Sequence, residues 1–403
     1  IVANRDVALR FSQETQKGIN PLGGHNYWLA ETVTDTKLQH DTVGIITPFL
    51  YIVGGGEYYL SMVIRFFIMI GAKRIHFYNN TEPNMFTTTL KKFFNDTEID
   101  VIEQRNIPRF KVNNCAYDYF VEMGNELHPR FRNNFNSKKY IYHCQFPFDY
   151  YRTAGRIKLD NIDHVIVNSE YTLKYYNNKT QLSDANKVCI NYPSCFKSLD
   201  TTKFNKRKNT FVMIGRIHIP SKHAHNKGHE TVLKIFHALA NTSNDFELCI
   251  IGTVQDVSYY NYLRKYEHEG KIRVIGDCSE EEKNNIIAES EYVIHATGID
   301  MNEEKVCFAF EHFGISPIEC INKNCIPICT NGGYFPHYIK HGENGFLFRT
   351  TYQLKQLLGG IVDGTNKLES EKAIAINKDI IKKFSHSCFN ERLAHILLKD
   401  LEQ

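Results

Sequence analysis

No apolar run in this 403-residue chain is long enough to span a bilayer. The longest, YYLSMVIRFFIMIGA (58–72), falls short of a span and carries Arg65 in its middle, which predicts a buried helix. Charge of one sign is not in excess either. With 48 basic against 45 acidic residues the net charge is +3, which makes no case for a nucleic-acid binder. The 11 cysteines are scattered, many in strand-like stretches such as LCIIG and IPICTN, with no CxxC pair and no zinc-like clustering. Buried reduced thiols in a cytosolic protein are expected. No GKS or GKT follows the glycine turn GGG (54–56), no GxGxxG spacing occurs, and there is no DxD. No short fixed-period repeat is present. The four N-x-S/T sequons are what chance produces in an Asn-rich chain. No leader is visible, and because the chain opens on Ile1 an upstream segment is expected to be missing.

What is present is a rhythm. Short apolar runs (TVGIITPFLY, KRIHFYNN, IDVIEQ, KYIYHCQ, DHVIVNS, KVCINYP) alternate with longer amphipathic ones up to about residue 192. The polar, basic stretch PSCFKSLDTTKFNKRKN (193–209) reads as an interdomain linker. Beyond it the alternation restarts with TFVMIGR, FELCIIG, KIRVIG, EYVIHAT and CIPICTN, and helical pattern fills 353–403. The expectation is two doubly wound α/β units, which bind ligands at the carboxyl ends of their strands. Basic residues gather at 131–140 and 203–208. They predict solvated faces, with an anionic membrane surface as the minority option.

Several residues stand out within this frame. In EHFGISPIE (311–319), Ser316, Pro317 and Glu319 fit a helix start, with Ser as N-cap, Pro first and Glu third. That explains Glu319 and leaves Glu311 and the Phe313-Gly314 turn without a reason. Gly54 to Gly56 precede a helix N-terminus suited to an anion, although three glycines are often only a tight turn. Arg216 follows a strand directly and Lys227 precedes a helix; together they suit a diphosphate, while singly each is an unremarkable loop charge. His223 and His225 form an HxH for which no further ligand is evident.

The ordered set IGR, KG, VLKIF, CIIGT, VIGD, VIHATG and EHFGISPIECINKNCIPICTNGGYFPHYIKHGENGFLF resembles the C-terminal domain of retaining family 4 glycosyltransferases. Bacterial polysaccharide-type and lipid-linked mannosyl-type members look alike here. The N-terminal half is similar more loosely, through GGGE, YHCQFPF and VIVNSEYT. The resemblance implies a GT-B fold, with two Rossmann-like domains facing a central cleft. Residues 1–195 would be the acceptor-binding domain, with 1–40 an irregular lead-in, and 196–380 the nucleotide-sugar-binding domain. Residues 381–403 would be a helix returning toward the first. By the same resemblance Glu319 takes the ribose hydroxyls while capping its helix, and Glu311 faces the donor sugar. The amides of Gly314, Ile315 and Ser316 meet the diphosphate or sugar, and Arg216 and Lys227 neutralise the diphosphate. Gly55 and Gly56 approach the donor phosphates from the first domain, and His143 the reacting sugar. For His143, a satisfied strand-end histidine is an equal alternative. Two departures stand out: IHIPSKHAHN separates Arg216 from Lys227, so Lys222 is a substitute for the latter, and YFPHYI stands where the family commonly has a glutamate after Gly332-Gly333.

The implied reaction is metal-independent, front-face transfer from a UDP- or GDP-sugar to a glycan or lipid-linked acceptor, with retention. No cofactor, metal or nucleic acid is expected. A cytoplasmic location is expected, with peripheral membrane association left open. Two rival readings share the fold: a sugar-nucleotide epimerase or hydrolase, and a non-catalytic partner subunit.

Overall fold

The computed structural model describes residues 42–47, 54–72, 74–78, 101–103, 116–124, 136–147, 162–177, 187–220, 226–242 and 245–398. The expected lead-in, the HxH pair and Lys222 lie outside them. The chain divides into two units, 1–194 with 386–403 and 195–385.

The first unit is a seven-stranded parallel sheet in the order β3-β2-β1-β4-β5-β6-β7. Its strands are β1 (Thr42–Ile46), β2 (Arg74–Tyr78), β3 (Val101–Glu103), β4 (Ala116–Gly124), β5 (Asn136–Cys144), β6 (His164–Val167) and β7 (Val188–Ile190). The strand β4 lies between β1 and β5, pairing Val43 with Tyr119 and Tyr142 with Glu122. The apolar run with Arg65 forms helix α1 (Gly55–Met69), and α2 covers Glu170–Asn177. In α1 Phe66 and Phe67 are wholly buried and pack with Val43 and Ile45. Among the described residues no helix is long and apolar enough to cross a membrane.

The second unit is a six-stranded parallel sheet, β10-β9-β8-β11-β12-β13. Its strands are β8 (Arg207–Ile214), β9 (Glu247–Gly252), β10 (Ile272–Gly276), β11 (Ser290–His295), β12 (Ile326–Thr330) and β13 (Phe346–Phe348). Around them run α3 (His229–Ala240), α4 (Val257–Arg264), α5 (Glu280–Glu289), α6 (Glu303–Val306), α7 (Ile315–Asn322), α8 (Thr351–Val362) and α9 (Ser370–Ile381). Strands buried on both faces read as continuous apolar runs, which is why FELCIIG and CIPICTN announced themselves. Both sheets reverse strand order beside their first strand, at β1/β4 and at β8/β11. In such a sheet the crevice for a ligand opens there, at the carboxyl ends.

The stretch expected as a linker is instead part of the second unit. Cys195 N–H donates to Phe384 O (2.9 Å), Asp200 N–H to Asn322 Oδ1 (3.0 Å), and Lys378 Nζ to Asp200 O (2.5 Å). Backbone and lysine bonds hold the segment together with buried Cys195 and Phe196, while the polar remainder of its composition reads as a tether. The return to the first unit falls at Ser385–His386, later than the expected 380, because Phe384 is fully buried against Phe313 and Tyr338. The helix α10 (His386–Leu398) then supplies Phe389, Leu393, Ile396 and Leu397 to the first unit's core. Truncating Phe389 to Ala should cost about 3–5 kcal/mol. Hydrogen exchange should show protection falling in β1 and α1 and unchanged in β8 and β12; an even loss across both sheets would contradict this assignment.

Candidate functional site

In the second unit the chain leaves β8 through Gly215 and half-buried Arg216 and reaches α3 through Lys227 and Gly228. Gly228 has φ +77°, and a Cβ there would stand 2.7 Å from that of Ala296, the residue after β11. Only glycine allows both the left-handed turn and the approach, and the approach carries Lys227 to the end of β11. There Lys227 Nζ meets Glu311 Oε2 at 2.9 Å, and His295 Nε2, at the end of β11, meets the same oxygen at 3.3 Å. The Lys227 and Glu311 side chains are 15% and 19% exposed, so the pair is only partly screened by water.

Arg216 makes no ion pair among the described residues. Burial lowers the pKa of His218, and the charges of Arg216 and Lys227 lower it further. His229, the first residue of α3, is buried and kept neutral, its pKa lowered to about 3 by burial and then by Lys227. His295 is also pushed down by burial, against the pull of Glu311, and so donates its Nε2–H as a neutral ring.

The second glutamate corrects the expected helix start. The N-cap of α7 is Gly314, at φ +92°, not Ser316. A left-handed glycine begins the helix early and leaves Ser316 second, Pro317 third and Glu319 fifth, beyond capping reach. Pro317 is tolerated there because first-turn amides have no intrahelical partner. The Ser316 hydroxyl donates instead to Ile214 O at 3.3 Å, tying the start of α7 to the end of β8. The open amides of Ile315 and Ser316 thus sit beside the strand end that carries Arg216, an arrangement that favours an anion. Glu319 is half-buried, and burial raises its pKa to about 7 while Lys283 of α5 pulls it down.

Arg216, Lys227, Glu311, Gly314, Ile315, Ser316 and Glu319 therefore belong to one unit, on loops and helix starts that follow its strands. His143, Gly55 and Gly56 belong to the other. Gly54 is the N-cap of α1, and a Cβ on Gly56 would lie 2.6 Å from the Gln145 amide. His143 is 2% exposed on β5, its ring 4.1 Å from that of Tyr59, and neither nitrogen has a partner among the described residues. Burial lowers its pKa to about 3.

Sequence reasoning missed His295, Lys283 and Phe335. For His295 the signal was a polar residue closing the apolar strand EYVIH; the other two show only through their neighbours. Among the described residues no group of His, Cys, Asp or Glu is placed to hold a metal ion. A depression of about 1020 Å³ along α8, lined by Phe348, Arg349, Tyr352 and Asn366, includes none of the candidate residues.

Known structures share this architecture. The chain is similar to a glycosyltransferase from Rickettsia africae ESF-5, with TM-score 0.65 and 15% identity over 90% of this chain and 99% of that one. It is similar also to the pneumococcal O-GlcNAc transferase GtfA in complex with UDP and GlcNAc, with TM-score 0.67 and 10% identity over 90% and 100%. Anabaena HepE in complex with UDP-glucose gives TM-score 0.63 and 14% identity over 89% and 100%. A comparison by sequence with curated proteins finds no match. At these identities the likeness defines the fold, which is GT-B. The sequence of the second unit goes further. Residues 197–377 match the family described as Glycosyl transferases group 1, and with that domain the chain is a glycosyltransferase.

The raised pKa of Glu319 sets a pH dependence. A carboxyl harder to ionise folded than unfolded adds stability below about pH 4.5, and that contribution is lost as pH rises through about 7. Glu319→Gln should remove that part of the decline, so its melting temperature relative to wild type should rise between pH 5 and pH 8. A parallel pair of pH profiles would show that Glu319 is solvated.

Proposed function

We propose that the protein moves a sugar from a nucleoside-diphosphate donor to a glycan or lipid-linked acceptor, with retention and without a metal, in polysaccharide or related glycan assembly. The observation that carries this is the Glu311 carboxylate shared by Lys227 and His295, with Arg216 following the carboxyl end of β8 in the same unit. A diphosphate brings negative charge to that point, and two cations and the open amides of α7 are already there. The UDP-glucose and UDP in the HepE and GtfA structures support a UDP-sugar over a GDP-sugar.

In this reading Arg216 and Lys227 stabilise the charge that grows on the leaving diphosphate, and the amides of Ile315 and Ser316 assist. One preorganised donor of this kind contributes about 3–4 kcal/mol to a transition state. Glu319 receives the ribose hydroxyls, whose donation returns its carboxyl to the ionised form. Glu311 faces the sugar hydroxyls. The leaving diphosphate accepts the acceptor's proton, so no enzymic nucleophile is required, and retention rests on the family resemblance. Gly55, Gly56 and His143 keep the roles toward the donor that the family resemblance implies for the first unit. The buried thiols of Cys249, Cys320, Cys325 and Cys329 suit a cytoplasmic protein, and the basic stretch at 203–208 suits peripheral contact with an anionic membrane.

Release of nucleoside diphosphate from UDP-glucose, UDP-GlcNAc and GDP-mannose, with and without a glycan and lipid extract, tests the proposal. Release should depend on the extract and persist in EDTA. Acceptor-independent release of free sugar would indicate a hydrolase or epimerase, and binding without release a non-catalytic subunit. Loss in EDTA restored by manganese would overturn the phosphate roles of Arg216 and Lys227.

A further inference from the structure

His295 is 4% exposed at the end of β11 with its Nε2 3.3 Å from Glu311 Oε2, within hydrogen-bonding distance, while its Nδ1 has no partner among the described residues. A buried imidazole carries a desolvation cost that a hydrogen bond must offset, so the bond to Glu311 accounts for its place. The ring is held from the side by Phe335, which is fully buried with its centroid 4.9 Å away. Phe335 also fills the space beside Gly314, where a Cβ would be 2.7 Å from its ring. Tyr334 N–H donates to Glu311 O at 2.9 Å. Main chain and side chain of Glu311 are thus gripped by neighbours that are themselves fixed.

Lys227 differs in kind. Its ammonium ends a flexible four-carbon stem, and a diphosphate offers it more negative charge than one carboxylate does. Were Lys227 its sole partner, its departure would leave a partly buried carboxylate uncompensated, which is costly. Because both donors share Oε2, His295 remains when Lys227 leaves, and as a neutral ring it adds no charge to compete for the phosphates.

We propose that His295 is the positioning residue of the donor-sugar contact, holding the Glu311 carboxylate toward the sugar when the diphosphate draws Lys227 away. This rests on the proposed function and assigns a task to a residue outside the paired glutamates and the phosphate clamp.

The test uses calorimetry on the intact chain with UDP-glucose, UDP-GlcNAc and GDP-mannose, taking the tightest for wild type and its free nucleoside diphosphate. In His295→Ala, sugar-nucleotide affinity should fall about tenfold, the worth of one good hydrogen bond. Affinity for the free diphosphate should hold within twofold, since it makes no sugar contact. His295→Gln, whose amide reaches the Nε2 position, should recover most of the loss, and the shorter His295→Asn should not. If the Ala variant does not fold, the Gln and Asn pair decides. Equal loss for both ligands would make His295 merely structural. Unchanged sugar-nucleotide affinity, or Gln no better than Asn, would also overturn the proposal. Wild-type protein that binds none of the three donors would overturn the functional reading beneath it.

Discussion

The Glu311 carboxylate, 2.9 Å from Lys227 Nζ and 3.3 Å from His295 Nε2, is the constraint from which the rest of the second unit's site follows. An exposed ion pair contributes about 0–1 kcal/mol, and a partly buried one is offset by desolvation, so stability alone is a weak reason to keep it. The geometry around it is nevertheless tightly determined. Gly228 must be glycine to bring Lys227 past Ala296, Gly314 must be glycine to clear Phe335, and Phe335 braces His295. A local arrangement this heavily specified for little net stability is what a ligand site requires.

Strand order puts that pair where a ligand can reach it. The second sheet turns back at β8 and β11, and the chain leaves both strands at the same edge. Arg216 comes from the loop after β8, His295 from the end of β11, and the amides of α7 are tied to β8 by Ser316. Three chain segments that are distant in sequence thereby present positive charge and free N–H groups together.

Much of the fold was legible because doubly buried parallel strands leave apolar runs of characteristic length, as in FELCIIG and CIPICTN. The strand β4 was not, because AYDYFVEMG mixes aromatics with carboxylates. The structure resolves this by burying Glu122 as the acceptor of the Tyr140 hydroxyl at 2.6 Å. The tether at 195–206 was misread for a related reason, since its bonds run through backbone groups that composition does not reveal. At the site, Glu311, Glu319, Arg216 and Lys227 stood out through spacing and resemblance. The helix start was misplaced because a left-handed glycine cap competes with a Ser-Pro-Glu signature, and only the backbone angle decides between them. His295 escaped notice because its partner lies in a different segment, and a lone histidine on a strand carries no signal of that.

A crystal structure of the protein soaked with UDP-glucose tests the central claim most directly. The account predicts the diphosphate within hydrogen-bonding distance of Arg216, Lys227 and the first amides of α7, with Glu319 on the ribose and Glu311, still bonded to His295, facing the glucose. Nucleotide bound instead in the depression along α8, with Lys227 still paired to Glu311, would contradict it.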